Sequence, residues 1–105
     1  MRLVIAAPAN GAILKDALKA HLQNDPRVSS LVDLSSPKGT YPQLSFAAAE
    51  EVAAGRADRA LLICGTGVGT AIAANKVRGI RAATAHDLLT LRGSVENYDA
   101  QVLCM

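Results

Sequence analysis

The sequence predicts an α/β fold: a five-stranded parallel sheet with helices on both faces, three layers in one domain spanning residues 1–105. Three observations predict it. Short apolar runs of strand length alternate along the chain with segments whose apolar residues recur at helical spacing. The third apolar run, Arg59 to Cys64, leads straight into Gly65-Thr66-Gly67-Val68-Gly69 and a small-residue helical segment, the strand–turn–helix order of a βα unit. Half of the residues are hydrophobic, yet only Tyr41, Phe46 and Tyr98 are aromatic. The core must therefore be built from Ala, Val, Leu and Ile, which suits small-residue helices packed on strands.

Arg2 to Ala7 is the first strand, broken by Pro8-Ala9-Asn10-Gly11, with Asn10 as a candidate N-cap. Leu14, Ala17, Leu18, His21 and Leu22 mark one face of a helix that ends near Asn24-Asp25-Pro26. Val28 to Leu34 is a second strand. Ser29, Ser30 and Asp33 interrupt its apolar run, which an edge strand tolerates. Ser35 to Pro42 is turn-rich and predicts a loop lining a site; Leu44, Ala48 and Val52 then mark a helix that Gly55 stops. After the third strand come a helix over Val68 to Lys76, a strand over Gly79 to Thr84, a turn at Ala85-His86-Asp87, a helix of about ten residues and a last strand, Ala100 to Met105. Right-handed crossovers give the strand order 2-1-3-4-5 in its simplest form. The chain ends at its fifth strand, so a partner chain or a longer parent sequence is expected to supply the helix that usually covers such a sheet.

A formal charge of +2, scattered along the chain, excludes a nucleic-acid footprint. No apolar run approaches the roughly 20 residues that span a membrane, and the start lacks a signal-peptide core and cleavage site. A soluble, cytoplasmic protein is expected. Cys64 and Cys104 have no metal-ligand spacing and fit free thiols in a reducing compartment.

Cys64 falls where the third strand ends, and the helix from Val68 points its positive end at the same place, a field that favours thiolate. The glycines let successive N–H groups face a ligand. Base and anion hole is one reading of this stretch; a small buried hydrophobe followed by a tight turn is the other. The spacing G-x-G-x-G is not the dinucleotide fingerprint, and there is no P-loop lysine, so nucleotide binding is not expected. Arg78, Arg81 and Arg92 read as solvated, Asp87 as an N-cap, His86 as a turn residue, His21 as structural and Cys104 as core.

The run L-L-I-C-G-T-G-V-G through A-A-N-K to G-I-R-A, with Tyr41-Pro42 before it and Asp99-Ala100-x-Val102-Leu103 after it, resembles the type B ribose-5-phosphate isomerases and the galactose-6-phosphate isomerase subunits. The resemblance runs along essentially the whole chain. It implies a Rossmann-like fold, a homodimer or higher oligomer, and aldose–ketose isomerisation of a phosphorylated sugar in the pentose phosphate pathway, without metal or organic cofactor. It makes Cys64 the base between C1 and C2, with Thr66 beside it in the catalytic group. Gly65, Gly67, Val68 and Gly69 become the anion hole, while Tyr41 and Asn97 contact substrate. It also implies departures. Pro8-Ala9 stand where the family usually has Asp-His, Asn97-Tyr98 where it has the ring-opening His-Asn, and the phosphate-gripping arginines and terminal helices fall beyond Met105. Two functions are thus expected: an isomerase using Cys64, or a catalytically silent phosphosugar binder or subunit of a hetero-oligomer.

Overall fold

The computed structural model describes residues 1–105. Strands β1 (Arg2–Ala6), β2 (Ser30–Asp33), β3 (Arg59–Leu62), β4 (Ala82–Thr84) and β5 (Val102–Cys104) alternate with helices α1 (Ala12–Leu22), α2 (Tyr41–Ala53), α3 (Val68–Asn75) and α4 (Leu88–Glu96). A short 3-10 turn, Ala9–Gly11, leads into α1. All four strand pairings are parallel.

The strand order is β2-β1-β3-β5-β4, which corrects the expected 2-1-3-4-5. The residues give the reason. Val102 and Cys104 are wholly buried between β3 and β4, whereas Ala82-Ala83-Thr84 is half-buried along its length and suits an edge. The chain therefore passes from β3 over a vacant position to β4 and returns to fill the gap. Right-handed crossovers then fix the layers: α2 and α3 lie on one face of the sheet, α1 and α4 on the other.

The two faces are unequal. Val4, Ala6, Ala60, Leu62, Val102 and Cys104 meet Leu44, Ala48, Ala49, Val52, Ala71 and Ala74 of α2 and α3 in one continuous core. The alanines let these two helices approach the sheet and each other closely. On the opposite face only Ile5, Ala7 and Ile63 form a fully buried cluster, and a shallow apolar groove floored by Leu61 and Leu103 runs between Leu22 of α1 and Val95 of α4.

Local signals set the helix ends. Thr40 accepts from the Gln43 N–H while the Gln43 side chain accepts from the Thr40 N–H, with Pro42 in the first turn, so α2 starts earlier than expected and takes Tyr41 out of the loop. Asp87 caps α4 by accepting from the Thr90 N–H, and Gly55 ends α2 at φ 76°. Asn10 is no cap: it lies inside the 3-10 turn, and Gly11 precedes α1. β2 is an edge strand, and its Asp33 anchors α1 by accepting from Lys15 at 2.9 Å and Lys19 at 3.2 Å.

Candidate active site

In the order β2-β1-β3-β5-β4 the chain leaves β1 toward β2 and leaves β3 in the other direction, so a crevice opens between the carboxyl ends of β1 and β3. This is the place where open α/β sheets bind ligands. A cleft of about 500 Å³ lies there. Pro8 and Asn10 come to it from the end of β1, Thr40 and Tyr41 from the start of α2, and Cys64, Gly65, Thr66 and Gly69 from the loop between β3 and α3.

Cys64 sits just beyond the end of β3, where its N–H still donates to the Met105 carbonyl at 3.0 Å and keeps the β3–β5 ladder going. The chain then turns sharply through Gly67 at φ 76°. A Cβ there would lie 2.8 Å from the Met105 Cα, so conformation and space both require glycine. The turn folds the loop's donors back onto the sulfur. The Gly67 N–H donates to Sγ at 3.1 Å, and the Thr70 hydroxyl lies 3.6 Å away. Partial burial pushes the thiol up, but hydrogen bonding from the Thr70 side chain and from the Thr66, Thr70 and Gly67 backbone outweighs it, and Cys64 ends below the ordinary thiol value.

The same loop is braced from outside. The Thr84 hydroxyl donates to the Gly67 carbonyl at 2.8 Å, and Nε2 of His86 lies 2.9 Å from the Thr66 carbonyl. Both braces come from β4 and the turn after it, and neither residue lines the cleft. Sequence reasoning passed over Thr84 and left His86 as a turn residue.

The residues expected to form an anion hole divide into two pairs. Gly65 and Gly69 line the cleft, whereas the Gly67 N–H is committed to Cys64 and the Val68 N–H to the Thr66 hydroxyl at 3.2 Å. Much of the loop's polarity is thus spent on the sulfur itself. Gly69 also lets Tyr41 in, since a Cβ on it would come within 2.7 Å of the Tyr41 ring.

Asn97 does not join this group. It follows the last turn of α4, and α4 runs against the strands, so nine residues of helix carry it roughly 14 Å away from the carboxyl edge. Its neighbourhood confirms the placement: Asp99, two residues on, pairs with Arg59 at the start of β3 and with Arg81 just before β4. Asn10 takes a place that sequence reasoning missed. Its amide lines the cleft against Gly65, where a Cβ would lie 3.0 Å from Nδ2. The 3-10 turn between β1 and α1, which the Pro8-Ala9-Asn10-Gly11 composition permits, puts it there. Cys104 is core, as expected.

The sequence profile of the ribose/galactose isomerases matches residues 3–105. The chain belongs to this family. D-erythrulose-4-phosphate isomerase 2 of Mycolicibacterium smegmatis is 51% identical over 109 aligned positions that take in the whole of this chain and 72% of the relative. Among solved structures, ribose-5-phosphate isomerase B of Clostridium thermocellum superposes with a TM-score of 0.93 at 35% identity, over 100% of this chain and 72% of that one. Ribose-5-phosphate isomerase B of Mycoplasma genitalium, solved with ribulose 5-phosphate bound, gives 0.86 at 34% identity, over 98% and 70%. The β3–α3 loop of this ribose/galactose isomerase family member is thus displayed on the family's sheet, at the switch point between β1 and β3.

Proposed function

We propose that this chain interconverts an aldose phosphate and its ketose isomer, ribose 5-phosphate and ribulose 5-phosphate or a related sugar phosphate, by proton transfer at Cys64. The observation that carries the reading is the cradle of donors around Sγ, which holds the thiol below its ordinary proton affinity at the mouth of the cleft. A thiolate there takes the proton from the carbon next to the carbonyl and returns it to the adjacent carbon. Thr70 supports the charge. Its hydroxyl lies within reach of both the Gly67 carbonyl and Sγ, and its proton can turn to the sulfur as the thiolate forms. The enediolate between the two transfers lies against Gly65 and Gly69 at the start of α3, whose positive end favours the oxyanion. Thr66, Tyr41 and Asn10 present hydroxyl and amide groups to the sugar.

The reading extends to assembly and location. A homodimer or higher oligomer in the cytoplasm fits two free thiols and the exposed apolar side chains of Phe46, Val68 and Ile72 on α2 and α3. No helix is long and apolar enough to cross a membrane. In such an assembly Asn97 contacts a sugar only in the cleft of another copy.

The test is exchange and turnover together. Wild-type protein converts the aldose phosphate to the ketose and washes solvent deuterium into the carbon next to the carbonyl, and Cys64→Ala reduces both by about 10²–10⁴-fold, the range for loss of a positioned acid or base. Equal rates in wild type and Cys64→Ala sink the reading.

A further inference from the structure

Two donors face the sulfur of Cys64, the Gly67 N–H at 3.1 Å and the Thr70 hydroxyl at 3.6 Å. A glycine-rich turn has many conformations open to it, so its donors stay on the sulfur only while something holds them there. Each of these two donors has its own support. Both supports reach the loop from the side away from the cleft, from the end of β4 and the turn after it.

The first support runs through a single peptide group. The Thr66 carbonyl and the Gly67 N–H share one planar trans unit, in which oxygen and hydrogen point in opposite directions. Nε2 of His86 lies 2.9 Å from that oxygen. A carbonyl only accepts, so this nitrogen carries the proton and donates. Holding the oxygen fixes the peptide plane and aims the N–H at its other end toward Sγ. Donation to the oxygen also polarises the N–H, which strengthens its bond to a thiolate.

The second support relieves a conflict. The buried Thr70 hydroxyl has one proton and two acceptors in reach, the Gly67 carbonyl at 3.3 Å and Sγ. In α2 and α4 the capping carbonyl is served by the backbone N–H four residues on, Thr40 by Leu44 and Asp87 by Leu91, each at 3.0 Å. At α3 the corresponding carbonyl, that of buried Gly67, takes hydroxyls instead, and the shorter bond, at 2.8 Å, comes from Thr84. With Thr84 in place the Thr70 proton can turn to the sulfur without stranding a buried acceptor, a loss that otherwise weighs against the thiolate. Thr84 is itself held. It stands opposite Cys104 in the β4–β5 register, and the N–H of Ala85 donates to the Cys104 carbonyl at 3.0 Å.

We propose that His86 and Thr84 are positioning residues for Cys64: His86 holds the Gly67 N–H on the sulfur through the peptide it shares with Thr66, and Thr84 releases the Thr70 proton to the sulfur by taking the Gly67 carbonyl. Neither residue lines the cleft, so both act on the base and not on the substrate. The inference deepens the isomerase reading and rests on it only for the effect on turnover. The effect on the thiol is read without substrate.

The test reads the pH midpoint of Cys64 alkylation, by peptide mass spectrometry, and kcat and KM for ribose 5-phosphate. Thr84→Val keeps the shape and removes the hydroxyl, whereas Thr84→Ser keeps the hydroxyl. His86→Ala removes the donor, whereas His86→Gln keeps an N–H donor without the imidazole's charge. The midpoint should move up in Thr84→Val and His86→Ala and stay near the wild-type value in Thr84→Ser and His86→Gln. In the first two, kcat should fall by about 3- to 10-fold, the worth of one hydrogen bond to the base, with KM unchanged within about twofold. The route through Thr70 makes a further demand. Added to Thr70→Val, Thr84→Val should not move the midpoint again, whereas His86→Ala should. The other ionisable groups near the sulfur, the Tyr41 phenol on α2 and the Cys104 thiol on β5, are present throughout.

A wild-type midpoint in Thr84→Val or in His86→Ala would overturn the inference. So would an equal shift in either variant and its conservative counterpart, since the cause would then be shape or charge and not a held donor. A second shift on adding Thr84→Val to Thr70→Val would overturn it as well. Should Thr84→Val fail to fold, the His86 pair, at an exposed side chain, carries the same test. Shifted midpoints with no turnover in any of these proteins would remove the isomerase reading and leave the two supports standing. Unmoved midpoints, with turnover lost only in Cys64→Ala, would do the reverse.

Discussion

Cys104 closes β5 and Cys64 lies just beyond the end of the neighbouring parallel strand β3, on the same side. Cys104 is in register with Leu62, and Cys64 is one full pleat further along β3. Thr70 acts on both thiols. Their proton affinities nevertheless diverge in opposite directions. Cys104 is wholly buried beneath α3, and burial, with the nearby Cys64 charge adding to it against the Thr70 hydrogen bond, pushes its thiol up to about 12. Cys64, one pleat on, has passed the end of the sheet and reached the backbone donors that open α3, which hold it below its ordinary value. The difference teaches that reactivity here is set by a step of about 7 Å along a strand, from a site with apolar neighbours to one with N–H neighbours.

The largest effect should be in labelling. At pH 7.5 a thiol alkylating agent should modify Cys64 far faster than Cys104, because the first thiol is lowered and reaches the cleft while the second is buried and raised to about 12. Peptide mass spectrometry of the native protein reads the ratio, and denaturation should abolish it. Comparable native rates would erase the contrast. Next comes Gly67→Ala, which places a side chain at φ 76° and against the Met105 backbone. The left-handed backbone costs roughly 1–2 kcal/mol and the overpacking roughly 1–3 more. Denaturant unfolding should register the sum, and Cys64 should lose its rapid labelling as the donors move off.

A subtler change is Thr70→Val, which removes a hydroxyl that lowers both thiols. A hydrogen bond of about 1 kcal/mol corresponds to a little under one pH unit. The labelling midpoint of Cys64 should therefore move up, because the Thr70 side chain is the strongest of the groups that lower it. The smallest effect is expected from Cys104→Ala, which costs about 1–2 kcal/mol for a small buried side chain and leaves Cys64 labelling within about twofold. Its sign with pH is specific. The folded value of Cys104 is raised, so its contribution is complete below the ordinary thiol value and declines as pH rises from there toward about 12, where the unfolded chain has lost a proton that the folded one keeps. The stability gap between wild type and Cys104→Ala should narrow over that window.

How much of this was legible in the sequence depended on how local the cause is. The Gly55 stop, the Asp87 cap and the edge character of β2 are written in single residues, and the structure has them. Thr40 and Gln43 also carried a local signal, the capping pair that puts Tyr41 on a helix, and reading the segment only as turn-rich missed it. The exchange of β4 and β5 was hidden because the alternation of strands and helices is the same in either order. Only the contrast between Val102-Leu103-Cys104 and Ala82-Ala83-Thr84 tells the buried strand from the edge. Within the cleft, Cys64 and its glycines announce themselves. The inward position of Asn10 and the remoteness of Asn97 depend on where a 3-10 turn and an antiparallel helix carry them, and no neighbouring residue encodes that.

The insertion of β5 between β3 and β4 has a consequence in time. β4 pairs with no strand but β5, and the Gly67 turn rests on Cys104 and Met105. During synthesis the first three strands can zip together as they emerge, while β4 waits unpaired for a segment some twenty residues later in the chain. The turn that gathers the donors around Cys64 is not supported until that last strand slides into place. A nascent chain therefore carries an ordinary cysteine, and the reactive one is born only with the completed sheet.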